Sequence, residues 1–152
     1  MPMIELSLTR GALSEEELQL LMHRATKTLM WWEKIPDTPE ARRIAWSFAS
    51  EFEPGRLFIG GQPPLKPRYR YRVHTIEDLM DDRAKQGVMR DLTRLTLEFK
   101  GAPQDDENKA RVWCLLREYP RANWGIAGAP FAPSGFLSCL GDIRTDGDEP
   151  LT

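Results

Sequence analysis

Cysteine and histidine are scarce in this 152-residue chain: two of each, Cys114 and Cys139, His23 and His74. Two cysteines cannot form the disulfide framework of a small secreted domain, and they fit a reducing cytoplasm. Neither residue type recurs at metal-ligand spacing, so no zinc site is expected. No apolar run approaches the roughly 20 residues that a membrane helix needs. The first residues lack a basic stretch followed by an apolar segment, so no signal peptide is expected. These absences together give a cytoplasmic expectation with no membrane partner. Charge of one sign is also missing: the formal net charge is −2, which offers no basic field to nucleic acid. A phosphate-binding loop, a dinucleotide fingerprint and an HExxH helix are all lacking, and no cofactor is expected.

Proline and aromatic residues are plentiful, and the first proline matters most. Pro2 opens an apolar run to Leu8 that reads as a strand. If Met1 is trimmed, Pro2 supplies a free secondary amine; the plainer role is to spare an edge strand an unpaired donor. Ser14 and Glu17 form a capping box, followed by Leu18, Leu21, Met22, Ala25, Leu29 and Trp32 on one helical stripe. Pro36 and Pro39 end that helix. A strand is predicted from Ile44 to Phe48, a turn at Pro54-Gly55, and a short strand over Leu57, Phe58 and Ile59 before Gly60-Gly61. The proline-rich stretch from Gln62 to Pro67 reads as a linker.

The pattern then begins again. Arg68 to His74 alternates as a strand, Glu77 to Phe99 is helical with Val88, Leu92, Leu95 and Phe99 on one side, and Gly101 is placed to cap it. A strand at Val112–Leu116 and a closing segment at Trp124–Gly128 complete the unit. A shift of 67 residues carries Pro36 to Pro103, Trp46 to Trp113, Glu51 to Glu118, Phe52 to Tyr119 and Gly61 to Gly128 without a gap. Two βαβ units, about 2–61 and 69–128, thus form one α+β domain with a C-terminal tail over 129–152. Parallel pairs within each unit join into a four-stranded sheet with two helices on one face. The opposite face also carries apolar residues, which predicts oligomerisation.

Val112-Trp113-Cys114-Leu115-Leu116-Arg117-Glu118-Tyr119-Pro120, continuing through Asn123-Trp124-Gly125-Ile126-Ala127-Gly128, resembles the closing strand and hairpin of 4-oxalocrotonate tautomerase. Glu51 to Gly61 resembles the same hairpin in a first copy. With Pro2, the chain resembles the tautomerase superfamily, and in length its fused two-unit members, which include the cis-3-chloroacrylic acid dehalogenase group. The resemblance implies the β-α-β fold shared with macrophage migration inhibitory factor, a homotrimer, and Pro2 as general base for keto–enol proton transfer on a small carbonyl acid.

The physical logic stands separately. A free α-amine has a pKa of about 7.7–8.0. An apolar pocket lowers it, leaving a neutral base near physiological pH. The developing enolate then needs a cation or hydrogen-bond donors, and arginine also grips a carboxylate.

Departures from the family narrow the reading. Trp46 and Trp113 stand where 4-oxalocrotonate tautomerase has a substrate-binding arginine. Its arginine after the first strand falls near Leu13, with Arg10 close by. The dehalogenase's histidine, arginines, tyrosine and glutamate fall at or near Leu29, Ile76, Leu79, Leu115 and Ile126. The water-activating set is therefore absent, and dehalogenation is rejected. Substrate contacts are expected from Arg70 and Arg72 as anion binders, and from Trp113, Asn123 and Trp124; Trp46 and Trp113 also read as core or interface residues. His74 has no assigned role. The alternatives are an idle family member serving as a trimeric binding protein, and a proline-dependent decarboxylase or hydratase.

Overall fold

A computed structural model describes residues 2–126 and 128–131. The elements are β1 (Met3–Thr9), α1 (Glu15–Trp32), α2 (Pro39–Arg42), β2 (Trp46–Phe52), β3 (Tyr69–Ile76), α3 (Asp82–Phe99), α4 (Asp106–Lys109) and β4 (Val112–Tyr119). A 3-10 turn (Arg121–Asn123) and a small hairpin of β5 (Gly125–Ile126) and β6 (Ala129–Pro130) follow. The sheet order is β2-β1-β3-β4. β1 runs parallel to β2, β3 runs parallel to β4, and β1 and β3 meet antiparallel. This is the α+β sheet expected from the duplicated units.

The 67-residue shift is exact in the helices: it carries α1 onto α3 and α2 onto α4, end to end. It also preserves register. Met3 faces Trp46 in the first parallel pair, and Arg70 faces Trp113 in the second. Glu5 pairs with its own equivalent, Arg72, at the centre of the β1–β3 ladder. A pseudo-twofold axis therefore passes between these two residues, whose side chains form an ion pair at 3.3 Å.

Local chemistry explains the boundaries. The Ser14 hydroxyl accepts from the Glu17 amide, and the Glu17 carboxylate accepts from the Ser14 amide, satisfying two otherwise orphaned donors. At the end of α3, Gly101 adopts φ +56, the Ala102 amide donates to Leu97 and the Gly101 amide to Glu98. This is a Schellman cap, and glycine takes that backbone without penalty. Leu21, Ala25 and Leu29 of α1 and Val88, Leu92 and Leu95 of α3 cover one face of the sheet, burying Ile4, Leu6, Leu8, Tyr69, Tyr71 and Val73. On the other face Trp46 is 61% exposed and Trp113 is 64% exposed, with Phe48 and Leu115 also open.

Several boundaries differ from the sequence expectation. β2 begins at Trp46 rather than Ile44, because Ile44 turns in against a small cluster of Met30, Ile35 and Ala41. Leu57 to Ile59 forms no strand; a single bridge joins Ile59 to Gln62 around Gly60-Gly61. Its shifted equivalent, Ile126 with Ala129, is the inner pair of the β5–β6 hairpin. Ala129 and Pro130 thus belong to that hairpin rather than to a tail. α3 starts at Asp82, capped by Asp81, because Asp78 takes a left-handed φ of 68 that breaks any earlier turn. Cys139 and the segment 132–152 lie outside the described residues.

Candidate active site

Pro2 is buried at the start of β1, and its carbonyl accepts from the Trp46 amide at 3.0 Å. That bond continues the β1–β2 ladder by one residue and fixes the proline against the sheet. Beside it opens a cleft of about 580 Å³, lined by Pro2, Met3, Arg43, Ile44, Trp46, Tyr119, Asn123, Trp124, Gly125 and Ile126. Each wall has a local cause. The 3-10 turn after Pro120 brings Trp124 back over the sheet end, and the Phe131 amide ties the Trp124 carbonyl at 2.7 Å. Tyr119 and Trp124 meet edge to face with ring centroids 5.5 Å apart. The Trp46 indole nitrogen donates to the Arg43 carbonyl at 3.3 Å.

The electrostatics combine one cation with two buried titratable groups. The Arg43 guanidinium is exposed at the cleft and has no ion-pair partner among the described residues. Such a group suits a ligand carboxylate. Glu33, at the end of α1, is 7% exposed. Burial pushes its carboxyl above the usual carboxylate range, with the Thr75 hydroxyl acting the other way. His74 donates to or accepts from the Tyr119 hydroxyl at 2.8 Å, and Glu5 lies 3.5 Å from its other ring nitrogen. Burial lowers the His74 pKa; Glu5 pulls it up, while Arg117 and Arg72 add to the lowering.

Of the residues singled out in the sequence, Pro2, Asn123 and Trp124 come together in this cleft. Arg70, Arg72 and Trp113 do not line it within one chain. Arg70 lies over the Phe52 ring and donates to Ser7, Arg72 pairs with Glu5, and Trp113 stands on the open face of edge strand β4. Sequence reasoning missed Arg43 and Tyr119. Arg43 sits in a connection with no motif. Tyr119 carried one usable signal, as the hydroxylated partner of Phe52 under the 67-residue shift.

The architecture matches known structures. Pt0534, in a form inactivated by 2-oxo-3-pentynoate, superposes with a TM-score of 0.71 at 22% identity, over 84% of this chain and 95% of that one. N1, a member of the cis-3-chloroacrylic acid dehalogenase family, gives 0.70 at 15% identity, over 86% and 83%. A fused 4-oxalocrotonate tautomerase, seen as an asymmetric trimer, gives 0.69 at 18% identity, over 84% and 94%. The chain has the tautomerase-superfamily fold. No family model and no curated protein sequence matches it. Leu29 is buried in the core, and Leu115 is exposed on the open sheet face.

Proposed function

We propose that this chain is a cofactor-independent tautomerase-like enzyme. Once Met1 is removed, the Pro2 nitrogen is the general base that moves a proton between carbon and oxygen of a small keto or enol acid. The observation that carries the reading is buried Pro2 lining an aromatic cleft together with Arg43, which has no ion-pair partner among the described residues. Trp46, Tyr119 and Trp124 suit a flat, apolar substrate body, and Arg43 suits its carboxylate. Inactivation of Pt0534 by a 2-oxo acid supports the substrate class.

The same reading makes the protein a homotrimer. The open sheet face with Trp46, Phe48, Trp113 and Leu115 calls for cover, and the fused 4-oxalocrotonate tautomerase of the same fold is a trimer. Arg70 and Arg72, on that face, are proposed to act in anion binding through the assembled form. A cytoplasmic location fits the free Cys114.

The test is kinetic. Ketonisation of phenylenolpyruvate and 2-hydroxymuconate is measured for wild type and Pro2→Ala, with removal of Met1 checked by intact mass. Loss of about 10²–10⁴-fold in kcat is expected; equal rates would remove Pro2 from the mechanism. Product analysis with malonate semialdehyde separates tautomerisation from decarboxylation.

A further inference from the structure

Tyr119 is the cleft residue with a chain of polar groups behind it. Its hydroxyl lies 2.8 Å from His74 Nδ1, and the two rings stack with centroids 5.7 Å apart. His74 Nε2 is buried 3.5 Å from Glu5 Oε1, a charge contact rather than a hydrogen bond. Tyr119, His74 and Glu5 thus connect the cleft beside Pro2 to the open face of the sheet. A carboxylate beside Nε2 favours the tautomer with its proton there. Nδ1 is then the acceptor, Tyr119 donates to it, and the Tyr119 oxygen keeps lone pairs for a hydroxyl entering the cleft. The groups facing His74 are Glu5 from β1, Arg72 on its own strand, and Arg117 and Tyr119 from β4. The other end of the sheet has nothing equivalent: the 67-residue shift replaces His74 with Ser7 and Tyr119 with Phe52.

We infer that Tyr119 exchanges the oxygen-bound proton of the substrate while Pro2 exchanges the carbon-bound one, with His74 as the positioning residue and proton acceptor behind Tyr119. The inference rests on the Pro2 reading above. In ketonisation, the enol O–H bond breaks toward the Tyr119 oxygen as the Tyr119 proton passes to His74 Nδ1. Ketonisation runs the general-base step in reverse, so Pro2 begins as the prolinium that enolisation would leave; the electron pair of the C=C bond takes that proton, and the C–O bond becomes a carbonyl. Pro2 ends neutral, and His74 ends as an imidazolium beside Glu5. Solvent returns one proton from His74 to Pro2, so the cycle closes without oxidant or cofactor. In this arrangement the substrate hydroxyl meets Tyr119 and its carboxylate meets Arg43, both of which line the cleft with Pro2.

The test uses full-length protein lacking Met1, with kcat and KM for phenylenolpyruvate ketonisation measured against pH. Tyr119→Phe keeps the ring and loses the hydroxyl; kcat is expected to fall about 100-fold or more with KM nearly unchanged. Wild type should lose activity as pH falls through the His74 pKa, below the usual value of about 6.5. His74→Gln should remove that acidic limb, and Pro2→Ala should retain it on a much lower plateau. If Tyr119→Phe fails to fold, as judged by circular dichroism, the His74→Gln profile decides alone. Wild-type kcat in Tyr119→Phe, or an unchanged pH profile in His74→Gln, with Pro2→Ala impaired, overturns the relay and leaves the proline reading standing. Equal rates in wild type and Pro2→Ala, or no turnover by wild type, overturn both.

Discussion

The two ends of the sheet share a backbone and differ in chemistry. At one end Pro2 precedes β1, Glu33 is buried at the end of α1, and His74 holds Tyr119 under Trp124. At the other end the shifted positions carry Tyr69, Lys100, Ser7, Phe52 and Leu57. Tyr69 lies in mid-chain and offers no amine. Lys100 reaches Glu17 at 3.6 Å instead of turning inward. Ser7 receives Arg70, and Arg70 lies over Phe52. Matching registers show that hydrogen-bonding geometry does not distinguish the ends. The difference lies in side chains and in which end holds the start of the chain.

The sharpest way to break this comparison is a paired substitution at residues 2 and 69. Pro2→Ala is expected to lower kcat by about 10²–10⁴-fold. Tyr69→Phe, which removes a buried hydroxyl with no hydrogen-bond partner among the described residues, should leave kcat within about twofold and stability unchanged or slightly raised. Equal losses in both would abolish the distinction.

The helix pair offers a second contrast. A β-carbon at Gly87 would lie 2.1 Å from the Trp32 ring, whose indole nitrogen donates to Asp91 at 2.9 Å. Gly87→Ala must displace that ring and should cost about 1–3 kcal/mol in urea denaturation. Leu20→Gly at the equivalent, exposed position of α1 should cost only about 1 kcal/mol.

Third in size is a buried polar pair that the first half lacks. The Tyr71 hydroxyl contacts Thr96 at 2.7 Å in the core, where the shift places Ile4 and Leu29. Tyr71→Phe should cost about 1 kcal/mol, since Thr96 still donates to the Leu92 carbonyl.

The smallest effect is acidic. Arg42 and Lys27 hold the Asp37 carboxyl well below the usual range. A lowered folded-state pKa gives stability that is present above the unfolded carboxylate value and lost as pH falls through the folded one. Asp37→Asn should cost about 0.5–1 kcal/mol at neutral pH and flatten the acid side of a stability–pH curve. Its equivalent, Gln104, already lacks the charge and donates to the Arg94 carbonyl.

The duplication was legible because helical stripes and prolines recur over tens of residues. Ser14 and Glu17 marked a helix start because the capping box is local chemistry. The four-residue helices α2 and α4 escaped notice, since so short a segment has no periodicity to read. Ile44 misled because an apolar residue next to a strand looks like part of it, and only the tertiary cluster with Met30 and Ala41 shows otherwise. The site was half visible. Pro2, Asn123 and Trp124 lie near landmarks, but Arg43 comes from an irregular connection. The Tyr119–His74 pair joins residues 45 positions apart, which no local pattern reports.

The pseudo-twofold axis between Glu5 and Arg72 has a consequence for gene order. Each half closes its parallel pair over the same separation, from Met3 to Trp46 and from Arg70 to Trp113. The antiparallel seam between β1 and β3 reads alike from either direction. Packing is therefore nearly indifferent to which half is encoded first. In the proposed chemistry the order is decisive: transposing the two halves would preserve the sheet and bury Pro2 inside an ordinary peptide bond.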